Sequence, residues 1–348
     1  MKLSTFNQLV LILTTAACAV IGSVAIASEA SLNRAVTAND GWVGYSVPMI
    51  AAAGSPCCYN IHNGKPVRRG CSLDGESWSS GSTQDSSDLT PKDDTLKIYL
   101  HVVDGKIESA RSVAASCPVE DADRARWLDN VAAVDSVAML ARRVRDAGGK
   151  SHDDADDVLA ALAMHDEPLV TAQLARFVEP SNAHELRQHA LFWLGEMRGA
   201  AGADIVERYA TTDADPKLRA HAVFVLSESS AVDGYAKIHR IAQRDPADHV
   251  REQALFWMAQ MNDPRARNDI DQAIRSDPSA HVREQGVFAL SQLKDGQATA
   301  ALIDIVRGDY PREVKKQALF WLGESGSSAA LAFLDSVLGK DRLADHDD

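Results

Sequence analysis

Cys57, Cys58, Cys71 and Cys117 are the residues whose types and spacing most directly imply chemistry. They could pair as two disulfides, act as redox-active thiols, or bind a metal through Cys57, Cys58 and Cys71 with His62. Adjacent cysteines fit a zinc site poorly, because zinc knuckles usually separate two ligands by about two to four residues. Which chemistry applies depends on the compartment in which the chain folds.

The N-terminus has the pattern of a secretory signal peptide. Lys2 is followed by an almost entirely apolar stretch over residues 9–26, and residues 25–27 (Ala-Ile-Ala) place small residues where a signal peptidase cleaves. We therefore predict a signal peptide over residues 1–27 and a periplasmic or secreted protein. A lipid anchor at Cys18, despite a poor lipobox, and an uncleaved membrane anchor remain as alternatives.

Export favours the disulfide interpretation of the four remaining cysteines. An even number of cysteines in an oxidising compartment is typical of paired residues. A Cys57–Cys58 bond would close a strained small ring, so two pairings stay open. Cys57 pairs with Cys71 and Cys58 with Cys117, or Cys57 pairs with Cys117 and Cys58 with Cys71.

Charge and composition narrow the partners. The formal net charge is −13, and removal of residues 1–27 deletes only Lys2, which gives −13 − 1 = −14. Such a chain repels the phosphate backbone, so nucleic acid is not expected as a partner. No second long apolar segment follows the signal, so stable membrane insertion after cleavage is not expected either.

From residue 183 the chain repeats every 32 residues, and each period has the spacing of two helices. The first helix of each unit carries a basic residue after an aliphatic one, then a small residue: Arg187, Arg219, Arg251, Arg283 and Lys315, then Ala190, Ala222, Ala254, Gly286 and Ala318. Four of the units carry an aspartate at the same offset: Asp213, Asp245, Asp277 and Asp309. We interpret these aspartates as helix N-caps, and Pro246 and Pro278 as the first helical turn. A weaker sixth unit, with Val158, Leu162 and Leu174, precedes the five clear ones.

The (Val/Leu)-Arg-x-x-Ala-x-x-x-Leu core resembles HEAT repeats of the short type also found in phycobilin lyases, over roughly residues 151–340. Residues 317–324 (Gln-Ala-Leu-Phe-Trp-Leu-Gly-Glu), 286–292 and 116–121, with Trp127-Leu128, are similar to segments of exported bacterial HEAT-repeat proteins. This resemblance implies an α-solenoid and a binding role, with no activity to transfer.

The sequence gives no support for an enzyme. Some HEAT-like proteins are di-iron hydroxylases with several His-Glu pairs, but here only His184-Glu185 has that form. The sequence lacks a Gly-x-Ser-x-Gly motif, a phosphate loop and a His-Glu-x-x-His motif. We therefore predict neither catalytic residues nor cofactors nor a metal.

A phenylalanine recurs on the polar side of every first helix, where a charged residue is the usual choice: Phe192, Phe224, Phe256, Phe288 and Phe320. One interpretation is an aromatic ladder open to a protein or peptide partner, and the other is packing between adjacent repeats. On a helical wheel, Trp193, Trp257 and Trp321 fall on the core side. The basic and aspartate series are predicted to pair around the turns between repeats.

The predicted fold is mainly α, with about six 32-residue helical hairpins and a small β-containing N-terminal domain. The boundaries are 1–27 for the signal peptide, 28–125 for the cysteine-bearing domain, 126–340 for the solenoid and 341–348 for a charged tail. In the N-terminal domain, residues 42–48 predict a strand and residues 96–113 a hairpin turning at Asp104-Gly105.

The predicted function is an exported protein-interaction module or scaffold, with envelope signalling as one form of it. The alternative is a thiol- or metal-dependent enzyme or carrier that uses the cysteine domain.

Overall fold

The computed structural model describes residues 28–62, 65–74, 93–147, 153–229, 233–294 and 296–344. The predicted signal peptide, the alternative anchor at Cys18 and residues 345–348 of the predicted charged tail lie outside these residues. Within them, no helix combines the length and the apolar character needed to cross a bilayer.

The N-terminal region is built around a four-stranded sheet. Its elements are α1 (Glu29–Thr37), β1 (Gly41–Pro48), β2 (Cys58–His62), β3 (Lys65–Arg69), β4 (Thr95–Val103), β5 (Lys106–Ala114) and β6 (Arg126–Trp127). The strand order is β5-β4-β1-β6, with β6 parallel to β1 and the other pairs antiparallel, while β2 and β3 form a separate ribbon. The predicted hairpin turns at Asp104 and Gly105, which both have positive φ angles (50° and 70°), as a tight reversal with the twist of the strands requires.

Thirteen helices follow this sheet in the described part of the chain. They are α2 (Ala133–Asp146), α3 (Asp153–Ala163), α4 (Leu169–Phe177), α5 (His184–Met197), α6 (Gly199–Thr212), α7 (Pro216–Glu228), α8 (Gly234–Arg244), α9 (Asp248–Gln260), α10 (Ala266–Ser276), α11 (Ala280–Ser291), α12 (Gln297–Arg307), α13 (Arg312–Glu324) and α14 (Ser328–Ala344). Five hairpins, α5/α6 to α13/α14, stack so that first helices contact first helices. The weaker sixth unit is α3/α4, and the molecule is an α-solenoid with a small N-terminal sheet, as predicted.

The small residue in each first helix lies where that helix is most deeply packed. Ala190, Ala222, Ala254 and Ala318 are fully buried. In the fourth unit, a Cβ added to Gly286 would lie 2.7 Å from Cγ1 of Ile274 on α10, closer than real Cβ contacts come. The 32-residue pattern is therefore a packing pattern.

The repeated aspartates do not cap helices, so that interpretation was wrong. Asp245 precedes the N-cap of α9, Ala247, by two residues, and Asp277 precedes the N-cap of α11, Ser279, by two. The carboxylate of Asp245 instead accepts a hydrogen bond from the backbone N–H of Ala247 at 2.9 Å. Asp213, Asp245 and Asp277 each close a turn before the helix in this way, and their carboxylates can also accept from a second partner.

The sheet packs directly on the first hairpin of the array. Strand β5 lies against α3, and Met49, just after β1, forms an isolated β-bridge with His165. Side chains from β1, β4 and β5 join those of α2 and α3 in one hydrophobic core that continues along the array. The N-terminal sheet therefore covers the first hairpin of the array, where an open solenoid end would expose apolar side chains.

Candidate partner-binding face

Six aromatic rings form a continuous chain across the first helices α7, α9, α11 and α13. In spatial order they are Phe224, Trp257, Phe256, Phe288, Trp321 and Phe320, with neighbouring ring centroids between 4.9 and 5.9 Å apart. We call these six rings the aromatic stripe. A separate pair, Phe192 and Trp193 on α5 (5.3 Å), lies at the corresponding place one unit earlier.

The rings are in contact with each other and also reach the surface. Phe192, Phe224, Phe256 and Phe288 are partly exposed, and 54% of Phe320 is exposed. The 32-residue repeat places each Phe at the same position on its first helix. Each ring can therefore contact an aromatic ring beside it and still be partly exposed to solvent. The role of these phenylalanines in partner binding stays a prediction, and the structure shows that they are part of an aromatic surface.

The tryptophans are not in the core, so that expectation was wrong. Trp193, Trp257 and Trp321 are partly exposed. The helical wheel considered only the contact of each first helix with its second helix. Each first helix also lies beside the first helix of the preceding unit, and Trp257 fills that seam by contacting Phe224.

Glutamates border the N-terminal end of this face. Glu196 lies one turn after Phe192 on α5. Its pKa is raised mainly by burial and to a lesser extent by the negative charge of Glu228. On the other border, Nε2 of His221 lies 3.0 Å from the backbone oxygen of Gln188, and burial lowers the pKa of this imidazole. Polar side chains therefore flank the rings on α5 and α7.

Buried Arg–Asp pairs fix how the repeats stack, and therefore where the rings lie. The Arg219 side chain contacts both carboxylate oxygens of Asp245 (2.7 and 2.8 Å) and donates to the backbone oxygen of Asp213 (2.8 Å). At most 8% of either charged side chain is exposed. Each such arginine therefore ties the turn before its own helix to the turn that follows its unit.

The same arrangement recurs in the neighbouring units. Arg251 bonds Asp277 in the same way (2.8 and 3.0 Å), and Arg187 bonds Asp213. The sequence predicted that the two series pair. Each of these arginines forms its ion pair with the aspartate 26 positions later in the sequence. Where an aspartate lies six positions before the arginine, it accepts a hydrogen bond from that arginine only through its backbone oxygen. At the far end Asp309 is exposed and has no ion-pair partner among the described residues.

The cysteines are paired as Cys57–Cys117 and Cys58–Cys71, which is the second of the two open pairings. All four are buried. The sulfurs of Cys57, Cys71 and Cys117 lie within 4.8 Å of one another, but a disulfide sulfur is neither a thiolate ligand nor a nucleophile. In this form the two bonds join the start of β2 to the segment after β5 and to the segment after β3.

Sequence reasoning missed a buried polar network between the sheet and the array. Ser136 Oγ on α2 lies 2.8 Å from the Tyr45 hydroxyl on β1 and 2.8 Å from Nε2 of His165 after α3. Nδ1 of His165 lies 2.8 Å from the backbone oxygen of Ala161. All three side chains are fully buried, so this Ser–His contact has no access to a substrate. The available signal was Ser136 itself, a polar residue on the apolar face of α2.

Comparison with known proteins agrees with this architecture. A family profile described as HEAT repeats matches residues 235–320. No curated protein matches the sequence.

Among solved structures, the chain is similar to the complex of CpcE and CpcF of phycocyanin lyase from Nostoc sp. PCC7120. The identity is 17%, the TM-score is 0.35, and the match covers 45% of this chain and 98% of that one. It is also similar to human deoxyhypusine hydroxylase in complex with glycerol, with 13% identity, a TM-score of 0.29, and 56% and 80% of the two chains covered. The chain therefore contains HEAT repeats, which the family match places over residues 235–320 within the array of 32-residue helical hairpins.

Proposed function

We propose that this chain is a non-enzymatic protein-interaction scaffold that works after export and binds a protein partner on the aromatic stripe. The observation that carries the proposal is the continuous run of six partly exposed rings over four successive repeats. Large aromatic side chains supply much of the binding energy at protein interfaces. A scaffold in envelope signalling is one form of this role.

Two features support work outside the cytosol. The chain starts with the pattern of a signal peptide, and its four remaining cysteines form two buried disulfides. Disulfides of this kind persist in oxidising compartments and are rare in the cytosol. Fractionation of cells that express the tagged chain tests this part, since a cytosolic product with reduced cysteines would contradict it.

The stripe is tested by affinity capture from the cell envelope. One variant changes Phe224, Phe256 and Phe288 to Ser, and a milder one changes only Phe320 to Ser. The matched control changes Val134, Leu169 and Leu331 to Ser, because these side chains are also exposed apolar residues but lie off the stripe.

We expect the triple variant to lose partners that the control retains, and Phe320→Ser to weaken them. Thermal unfolding of each variant separates loss of binding from loss of folding, and Phe320→Ser should leave the melting temperature nearly unchanged because its side chain is mostly exposed. An identical set of captured proteins for wild type and both stripe variants would overturn the proposed binding face.

A further inference from the structure

The second helices leave two grooves that are copies of each other in position. One lies between α6 and α8 with a volume of about 250 Å³, and the other between α8 and α10 with about 240 Å³. Each residue that lines the first groove has its repeat equivalent, 32 positions later, in the lining of the second. We call them groove 1 and groove 2. They lie on second helices, whereas the aromatic stripe lies on first helices.

Groove 1 is basic. Its lining includes Lys237, Arg240 and Arg244 on successive turns of α8. Glu207 from α6 accepts from Lys237 (2.7 Å) and Arg240 (2.8 Å); burial acts to raise its pKa, but these hydrogen bonds lower it, so the carboxylate stays charged. Arg244 is exposed and makes no ion pair with any described residue. An anionic group entering groove 1 would therefore meet an unpaired guanidinium.

Groove 2 replaces every one of these cations. Asp269 takes the place of Lys237, Gln272 that of Arg240, and Ser276 that of Arg244. The Asp269 carboxylate accepts from the Tyr235 hydroxyl at 2.8 Å, and 22% of its side chain is exposed. The neighbouring basic group, His239, lies 3.9 Å away. Groove 2 therefore offers a carboxylate where groove 1 offers a lysine.

Small residues keep both grooves open. Pro246 and Pro278 follow the buried aspartates at their ends, and Ala210, Ala242 and Ala273 form apolar parts of the walls. One unit further on, Tyr310 stands at the proline position and is itself buried, with the guanidinium of Arg275 4.0 Å from its ring centroid. The buried Tyr310 ring therefore stands where each of the two grooves has a proline.

The spacing of the grooves defines the occupant. Packed helices lie about 8–10 Å apart. A peptide in the polyproline II conformation rises about 3.1 Å per residue with three residues per turn, so side chains three residues apart lie on the same side, about 9 Å from each other. We propose that the second-helix face binds a segment of another protein in the polyproline II conformation, with an acidic side chain in groove 1 and a basic side chain three residues away in groove 2. Charge complementarity selects this occupant, and the small apolar walls accept the aliphatic part of each side chain.

The test uses the full chain and fluorescently labelled peptides in an anisotropy titration. Two peptides carry one Asp and one Lys three residues apart, in the two possible orders, and a third has the same composition with the charges adjacent. We expect one of the first two to bind at least tenfold more tightly than the third. Arg244→Glu should weaken that binding by tenfold or more, whereas Lys316→Glu, which reverses another exposed charge but on the first helix α13, should not.

Asp269→Lys is the sharper variant, because it gives groove 2 the lysine of groove 1. Preference should then move from the Asp/Lys peptide to one with two Asp residues at the same spacing. Three results would each overturn the proposal. They are binding that ignores spacing, Asp269→Lys without a change of preference, and inorganic phosphate competing as well as the peptide, which would indicate a simple anion site.

Discussion

The N-terminal sheet and the repeat array depend on contacts of different range. In the sheet region, Cys57 bonds Cys117 across 60 positions, and Tyr45 contacts Ser136 across 91. In the array, the strongest polar contacts join residues 26 positions apart, as in Arg219–Asp245, and each unit contacts its neighbours. In the array, the loss of one contact should therefore affect only the neighbouring units. The sheet region instead depends on a few contacts between residues far apart in the sequence.

The disulfides carry the largest expected effect. Changing Cys57 and Cys117 to Ala should cost about 4 kcal/mol, and changing Cys58 and Cys71 about 3 kcal/mol, because the loop closed by the first bond is longer. Far-UV circular dichroism during denaturant unfolding measures both. If the two regions are as different as their contacts suggest, the sheet signal disappears first and the helical signal persists. Simultaneous loss of both signals would contradict the comparison.

The buried ion pair carries the largest effect within the array. Asp245→Ala should cost about 3–5 kcal/mol, because it leaves the buried guanidinium of Arg219 without its carboxylate. The matched control is Asp309→Ala, at the equivalent but exposed position, which should change the unfolding free energy by less than about 0.5 kcal/mol. Hydrogen exchange should show the loss of protection in α7, α8 and α9. Loss of protection in the sheet as well would show that the array does not confine the damage.

The junction should respond to pH more than the array does. Burial lowers the pKa of His165 from 6.5 to about 4. The unfolded chain therefore binds this proton first as the pH falls, so the stabilisation is complete above about pH 6.5 and is lost progressively towards pH 4, by about 3 kcal/mol.

His165→Gln should remove this part of the pH dependence, as measured by denaturant unfolding at several pH values. His221→Gln is the control within the array, where the pKa is also lowered but glutamine already stands at the equivalent positions Gln253, Gln285 and Gln317. Equal flattening of the pH profile by both changes would contradict the special role of the junction.

The smallest expected effects on stability come from replacing two glycines, one that the sheet requires and one that the array does not. Gly105→Ala should destabilise by about 1 kcal/mol, because the hairpin turn needs its φ of +70°. Gly323→Ala should stabilise by up to about 1 kcal/mol, since this exposed glycine of α13 has open space around it and alanine is the better helix former. Melting temperatures of the two variants should move in opposite directions.

The array could be predicted because its information is local and repeated. Five copies of a basic residue followed three positions later by a small one average out the ambiguity of any single helix, and the turn at Asp104-Gly105 marks the hairpin within two residues. The disulfide pairing could be narrowed to two choices by ring strain. Choosing between them required the positions of β2 and β5, which depend on tertiary contacts.

The candidate sites were harder to predict because they arise between units. A helical wheel describes one helix, so it placed Trp257 in the core although the residue lies in a seam between two first helices. The groove residues Lys237 and Asp269 looked like ordinary surface charges, and their opposition became visible only when equivalent positions were superposed. The Ser136–His165 contact joins residues from separate elements whose approach no local pattern records.

The arginine bonds also have a mechanical consequence. Each guanidinium holds two successive turns at a separation set by one rigid planar group with directional hydrogen bonds, whereas the rings of the stripe touch through contacts that tolerate sliding. We therefore expect the solenoid to bend so that the distances between the arginine-bridged turns stay constant while the distances between the rings change. Bending would increase or decrease the distances between neighbouring rings of the aromatic stripe. A partner bound to the stripe would fix these distances and thereby the curvature of the array.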